Sequence, residues 1–225
     1  MGGKLIVIEG TDCSGKLTQT KMLVDRLKKE GKKVIFFSFP NYETPTGKII
    51  GGPYLGKVEI SDSWFKEGAV NVDPKVASLY YAADRYYSLP RIKEALNNYD
   101  LVFLDRYIAS NMGHQGGKIK DKEERLKMYK WIHDLEYGLL DLPFPDLTFF
   151  LHMPYLKAHE LKKGRSNLDH HEVSLEHLKA AEKSYFELVE LYKWQYISCV
   201  KDDNIKTEKE IHEEIYESLK KELDI

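Results

Sequence analysis

The chain has 225 residues, 42% of them hydrophobic and 31% charged, with a formal net charge of −2. That size and balance suit one self-sufficient core and give no excess of positive charge for coating nucleic acid. The two cysteines, Cys13 and Cys199, lie far apart, and neither a bilayer-length apolar run nor a secretion signal is visible, so a soluble cytoplasmic protein with reduced thiols is expected.

The first strand candidate, Leu5–Ile8, runs into Gly10-Thr11-Asp12-Cys13-Ser14-Gly15-Lys16-Leu17-Thr18. This follows the phosphate-binding pattern G-x-x-x-x-G-K-[ST] with one departure. Glycines at both ends let the backbone curl until successive N–H groups face an anion, and Lys16 adds a point charge for the β- and γ-phosphates. Leu17 stands where a hydroxyl would reach magnesium, and Thr18 comes one residue late. Leucine cannot ligate a metal, so Mg2+ arriving with ATP is expected to rely on phosphates, water and the carboxylates Asp12 or Asp105.

Thr18–Lys29 has helical spacing, with Met22, Leu23 and Leu27 on one face and Gly31 as a stop. Val34–Phe39 is the second strand candidate. Residues 74–98 read as a helix that Pro90 should kink or split. Strands follow at Leu101–Leu104, Leu147–Leu151 and Tyr196–Val200, and helices at 121–138, 154–163, 174–195 and 207–223. Short apolar runs without in-out alternation suit strands buried on both faces. The expected fold is therefore a three-layer α/β domain of the P-loop NTPase kind, a five-stranded parallel sheet flanked by helices.

Four stretches, in order, resemble thymidylate kinases, P-loop enzymes that convert dTMP and ATP into dTDP and ADP. They are Ile8–Asp12 with Gly15-Lys16 and Thr18-Gln19; Phe39-Pro40; Leu79–Arg85; and Asp105–Ser110 followed by His114-Gln115-Gly116. The likeness extends from Lys4 to about Leu223. It implies that Gly10 to Thr18 hold the ATP phosphates, that Arg106 holds the acceptor phosphate, and that Asp105 orients it or takes a water of the magnesium shell. It further implies that Tyr81 stacks on the thymine, that Arg85 bonds its edge, and that Asp12, Phe39, Ser110 and Gln115 complete the dTMP site. A closing segment at about 162–173 would bring Arg165 onto the transferring group, with Lys162 and Lys163 behind it. Three departures stand out: His170 follows Asp169 where an arginine is common, Asp12-Cys13-Ser14 holds no arginine, and Tyr42 replaces an arginine that some members aim at the monophosphate. His170-His171 beside Asp169 and Glu172 reads as a solvated face rather than a zinc site, since adjacent side chains point apart. The likeness also implies a homodimer, with 74–98 and 121–138 as candidate interface helices. Adenine contacts from Lys201–Lys206 are expected from position alone. Two alternatives stay open: another deoxynucleoside monophosphate as acceptor, or a nucleotide-binding regulatory protein with weakened catalysis.

Overall fold

The computed structural model describes residues 2–162 and 175–223. Strands β1 (Lys4–Gly10), β2 (Val34–Ser38), β3 (Leu101–Asp105), β4 (Leu147–His152) and β5 (Gln195–Ser198) form one sheet in the order β2-β3-β1-β4-β5. Every pairing is parallel. Along β1, Ile6 and Ile8 pack with Leu23, Leu27, Phe149 and Ile215 on one side, while Leu5 and Val7 pack with Ile92, Leu104 and Met128 on the other. Two covered faces explain why the strand shows no alternation in sequence. Each such side chain taken out of water contributes roughly 1.5–3 kcal/mol.

Helices α1 (Lys16–Lys29) and α8 (Glu208–Leu223) cover the first face. The second is covered by α3 (Pro74–Asn98), α4 (Ile108–Gly117), α5 (Lys122–His133) and α7 (Leu175–Tyr192). Three short pieces complete the set: α2 (Pro45–Ile49), running into a π-helical turn at Ile50–Tyr54, α6 (Tyr155–Lys162), and a hairpin of β6 (Val200–Lys201) and β7 (Asn204–Ile205). A second π-helical turn, Asp134–Leu139, prolongs α5. A third apolar cluster, separate from the sheet, joins Ile50, Tyr54, Leu55, Ala69, Val72 and Ala77, with Tyr42, Phe65, Tyr80 and Tyr81 packed against it. No described helix is long and apolar enough to cross a membrane.

The structure departs from the sequence-based expectations in four places. Pro90 does not split α3, which continues through it. Pro90 and Tyr86 are both exposed, so the proline lies on the solvent side of the helix, where a carbonyl left without its N–H donor costs least. The last strand stops at Ser198, and Val200 turns into the hairpin instead. Helix α1 starts two residues early, at Lys16, with Gly15 as its left-handed N-cap at φ 77°. Helix α4 was hidden by its glycines, which are poor helix formers. A Cβ on Gly113 would lie 2.7 Å from the Tyr185 ring, and one on Gly116 would lie 2.3 Å from that of Tyr129. Close approach of α4 to its neighbours overrides propensity there.

Candidate active site

The carboxyl ends of β1, β2, β3 and β4 deliver the site residues to one edge of the sheet, where open α/β folds bind ligands. β1 ends in the phosphate loop. Thr11 pins that loop to the end of β4, its hydroxyl donating to the Met153 carbonyl at 2.7 Å and accepting from the Met153 N–H at 2.7 Å. Gly10 is required because a Cβ there would lie 2.4 Å from the Leu151 carbonyl oxygen. Cys13, at φ 58°, makes a tight left-handed bend in the loop. Lys16 folds back over it, its ammonium donating to the carbonyls of Thr11 at 2.6 Å and Gly10 at 3.1 Å. Burial, with Arg106 nearby, brings that ammonium down to about 8 despite the carboxylates of Asp12, Asp105 and Glu9. Leu17 is 42% exposed and Thr18 half-buried on the first turn of α1.

Asp12 joins three elements. One carboxylate oxygen lies 2.7 Å from the Lys162 ammonium at the end of α6, and the other 3.5 Å from the Arg106 guanidinium. Burial alone would push this carboxyl up, but the positive charge of His114, Lys162, Arg106 and Lys16 holds it well below the usual carboxylate range. Arg106 sits just past β3 at φ 65°, a left-handed conformation that costs a non-glycine residue roughly 1–2 kcal/mol. The strain has an anchor on either side. The Arg106 N–H donates to the Ile8 carbonyl at 3.1 Å, and the carboxylate of fully buried Glu9 accepts from the next N–H, that of Tyr107, at 2.7 Å. Glu9 also takes the N–H and hydroxyl of Ser110, at 3.0 and 2.6 Å, so a β1 carboxylate caps α4 from outside. The Ser110 proton is thus committed to Glu9. Its oxygen still accepts from Tyr185 at 3.3 Å and faces Arg106 at 3.5 Å.

Asp105 is buried, and one oxygen accepts the Ser38 hydroxyl at 2.6 Å. The other, Oδ1, has no hydrogen-bond partner among the described residues. An orphaned carboxylate oxygen at a strand end beside Lys16 fits a water of a hydrated divalent metal. Asp12, with both oxygens engaged by cations, fits that role less well.

Beside the loop opens a cleft lined by Asp12, Phe39, Tyr81, Arg85, Arg106, Ser110 and Gln115, with Pro40, Tyr42, Leu55, Asn111 and His114. All seven residues named from sequence for the acceptor site therefore meet there, Tyr81 and Arg85 on one face of α3. Sequence reasoning missed what holds Arg85. Its guanidinium forks onto the carboxylate of fully buried Glu136, which also accepts from the Asn111 amide at 3.0 Å. Only the placement of an acid between Leu135 and Tyr137 hinted at that burial. The amide oxygens of Asn111 and Gln115 are buried without hydrogen-bond partners among the described residues. His114 stacks on His177 with ring centroids 5.5 Å apart. Arg165, Lys163, Asp169, His170, His171 and Glu172 lie outside the described residues. The Lys201–Lys206 stretch forms the hairpin, and the Lys206 ammonium is tied to Glu214 at 2.7 Å.

A curled loop between a strand and a helix, a lysine, an arginine across from it and a cleft beside them define a P-loop nucleotide phosphotransferase. A family model described as Thymidylate kinase matches residues 8–215. The thymidylate kinase of Halothermothrix orenii is 32% identical over 228 residues, covering 98% of each chain. That of Schizosaccharomyces pombe is 34% identical over 151 residues, 67% of this chain and 61% of the relative. A solved thymidylate kinase from Candida albicans, described as having broad substrate specificity, superposes with a TM-score of 0.73 at 24% identity, covering 98% of this chain and 92% of its own. The chain belongs to the thymidylate kinase family, whose members phosphorylate dTMP.

Proposed function

We propose that this chain transfers the γ-phosphoryl group of ATP to dTMP with its residues divided as follows. The loop amides of Gly10 to Thr18 and the Lys16 ammonium hold the donor phosphates. Arg106, fixed by Asp12 and by its strained backbone, holds the acceptor phosphate beside them. Tyr81 and Phe39 bound the base, while Arg85 offers donors to its carbonyl edge. The orphaned amide oxygens of Asn111 and Gln115 are acceptors suited to a ring N–H. The acceptor phosphate is anionic at neutral pH, so no general base is required, and rate comes from alignment and charge neutralisation. A divalent metal bound with ATP would neutralise charge on the β- and γ-oxygens, with Asp105 as the residue placed to hold its water shell and no ligand from Leu17. Arg165 is the candidate for closing over the transferring group.

The observation that carries this reading is the convergence of loop and cleft on one pair of side chains, Asp12 and Arg106. A coupled assay across dTMP, dUMP, dGMP and thymidine tests it, with Lys16→Ala as control. The highest rate should fall to dTMP and vanish in the variant. Equal or faster turnover of dGMP or thymidine would overturn the acceptor assignment, and ATP binding without turnover would mark a regulatory protein instead. Val76, Leu79, Tyr86 and Tyr87 leave an exposed apolar stripe along α3, which supports a homodimer through that helix.

A further inference from the structure

Lys118 caps the C-terminal end of α4. A lysine there ordinarily serves the last carbonyls of its own helix. This one reaches elsewhere: its ammonium donates to the carbonyls of Ala69 at 2.9 Å and Val72 at 3.0 Å, residues far earlier in the chain. Both belong to the third apolar cluster, Ala69 fully buried and Val72 nearly so. The Ala69 carbonyl is shared, because the hydroxyl of fully buried Tyr54 also donates to it, at 3.1 Å. The Tyr54 ring meets Tyr81 edge-on, centroids 5.8 Å apart at 88°, and stacks on Tyr80 at 6.0 Å. Val72 immediately precedes Asp73, the N-cap of α3, whose carboxylate accepts from the N–H groups of Lys75 and Val76.

One ammonium therefore ties the last turn of α4 to the start of α3 and, through Ala69 and Tyr54, to the ring of Tyr81. Both helices line the acceptor cleft: Tyr81 and Arg85 rise from α3, and Ser110, Asn111, His114 and Gln115 from α4. Burial brings the Lys118 ammonium down to about 8, with Asp73 opposing, so the tie is made by a partly desolvated charge rather than a surface lysine. Charge-assisted hydrogen bonds of that kind are stronger than neutral ones.

We propose that Lys118 is a positioning residue for acceptor recognition, its ammonium fixing the Ala69–Val72 segment to the end of α4 and so setting the separation between Tyr81 and the α4 wall. The proposal rests on the reading that this cleft takes dTMP.

The test compares wild type with Lys118→Met, which keeps the apolar stem, and Lys118→Arg, which keeps a charged donor. KM for dTMP, KM for ATP and the ratio of dTMP to dUMP turnover are measured, with amide hydrogen exchange of residues 69–81 recorded without nucleotide. In Lys118→Met, KM for dTMP should rise roughly tenfold, the size of losing one well-placed charged contact. KM for ATP should stay within about twofold, because the donor loop is not part of the tie. The preference for dTMP should fall as the walls loosen, exchange at 69–81 should quicken, and Lys118→Arg should recover most of each effect. A dTMP KM within about twofold of wild type in Lys118→Met overturns the proposal, since a merely stabilising lysine would lower the melting temperature alone. A wild type that fails to phosphorylate dTMP sinks the functional reading instead. In that case unchanged exchange at 69–81 overturns the tie, and quickened exchange upholds it.

Discussion

Replacing Glu136 by glutamine would leave the Arg85 guanidinium buried against a neutral amide. The pair is almost wholly removed from water, at 2% and 0% side-chain exposure, and Glu136 receives three hydrogen bonds, two from Arg85 and one from Asn111. Glutamine keeps the shape but turns one acceptor into a donor that faces an Arg85 N–H. Breaking a buried pair from one side costs about 3–5 kcal/mol, because the remaining charge loses its compensation. Total stability is on the order of 5–15 kcal/mol, so the variant should fold but lie close to the edge. With a urea slope of about 3 kcal/mol per molar, the unfolding midpoint should drop by roughly 1–1.7 M. The same substitution frees Arg85 and Asn111 together, so KM for dTMP should rise in parallel. The double variant Arg85→Met, Glu136→Leu separates the two effects, since a hydrophobic replacement of both partners often restores stability. It should regain most of the midpoint while dTMP binding stays poor. A loss below about 1 kcal/mol in Glu136→Gln, the size of an exposed pair, would refute the reasoning.

Two further outcomes follow from packing and charge. Gly116→Ala places a methyl 2.3 Å from the Tyr129 ring and 3.0 Å from the Ser184 hydroxyl, and should cost about 1–3 kcal/mol in thermal unfolding; an unchanged melting temperature would show that α4 can move away. Lys16 has a folded-state value lowered to about 8, so its charge is lost as pH rises through 8. At saturating dTMP, kcat/KM for ATP should then fall above pH 8 by up to about tenfold per unit while kcat changes less, because bound phosphates favour the ammonium; a flat profile to about pH 9.5 would contradict this.

How far the sequence was legible depends on whether a feature is local. The phosphate loop, the Asp105-Arg106 step and the Tyr81–Arg85 face lie within a few residues each, and the loop's strand and helix could be read beside it. Glu136 could not be found that way. It lies 51 residues from Arg85 and reaches it only because α3 and the turn after α5 pack together. Helix α4 was invisible for a related reason, since its glycines answer to Tyr185 and Tyr129, on α7 and α5. What sequence could not show for Ser110 is its second duty: it lines the cleft as expected, and the fold gives its hydroxyl proton to Glu9. The walls supplied by Tyr42 and Leu55 depend on a small core with no regular pattern to announce it.

Glu9 and Gly10 are neighbours on β1, yet they fix different parts of the site. Glu9 caps the helix that follows Arg106, and Gly10 opens the phosphate loop. The loop and the turn that carries Arg106 are therefore surveyed from a single datum, one peptide bond wide, on the central strand of the sheet. In engineering terms, a single residue inserted between Glu9 and Gly10 should put the two out of gauge, because it shifts one anchor by a residue against the other.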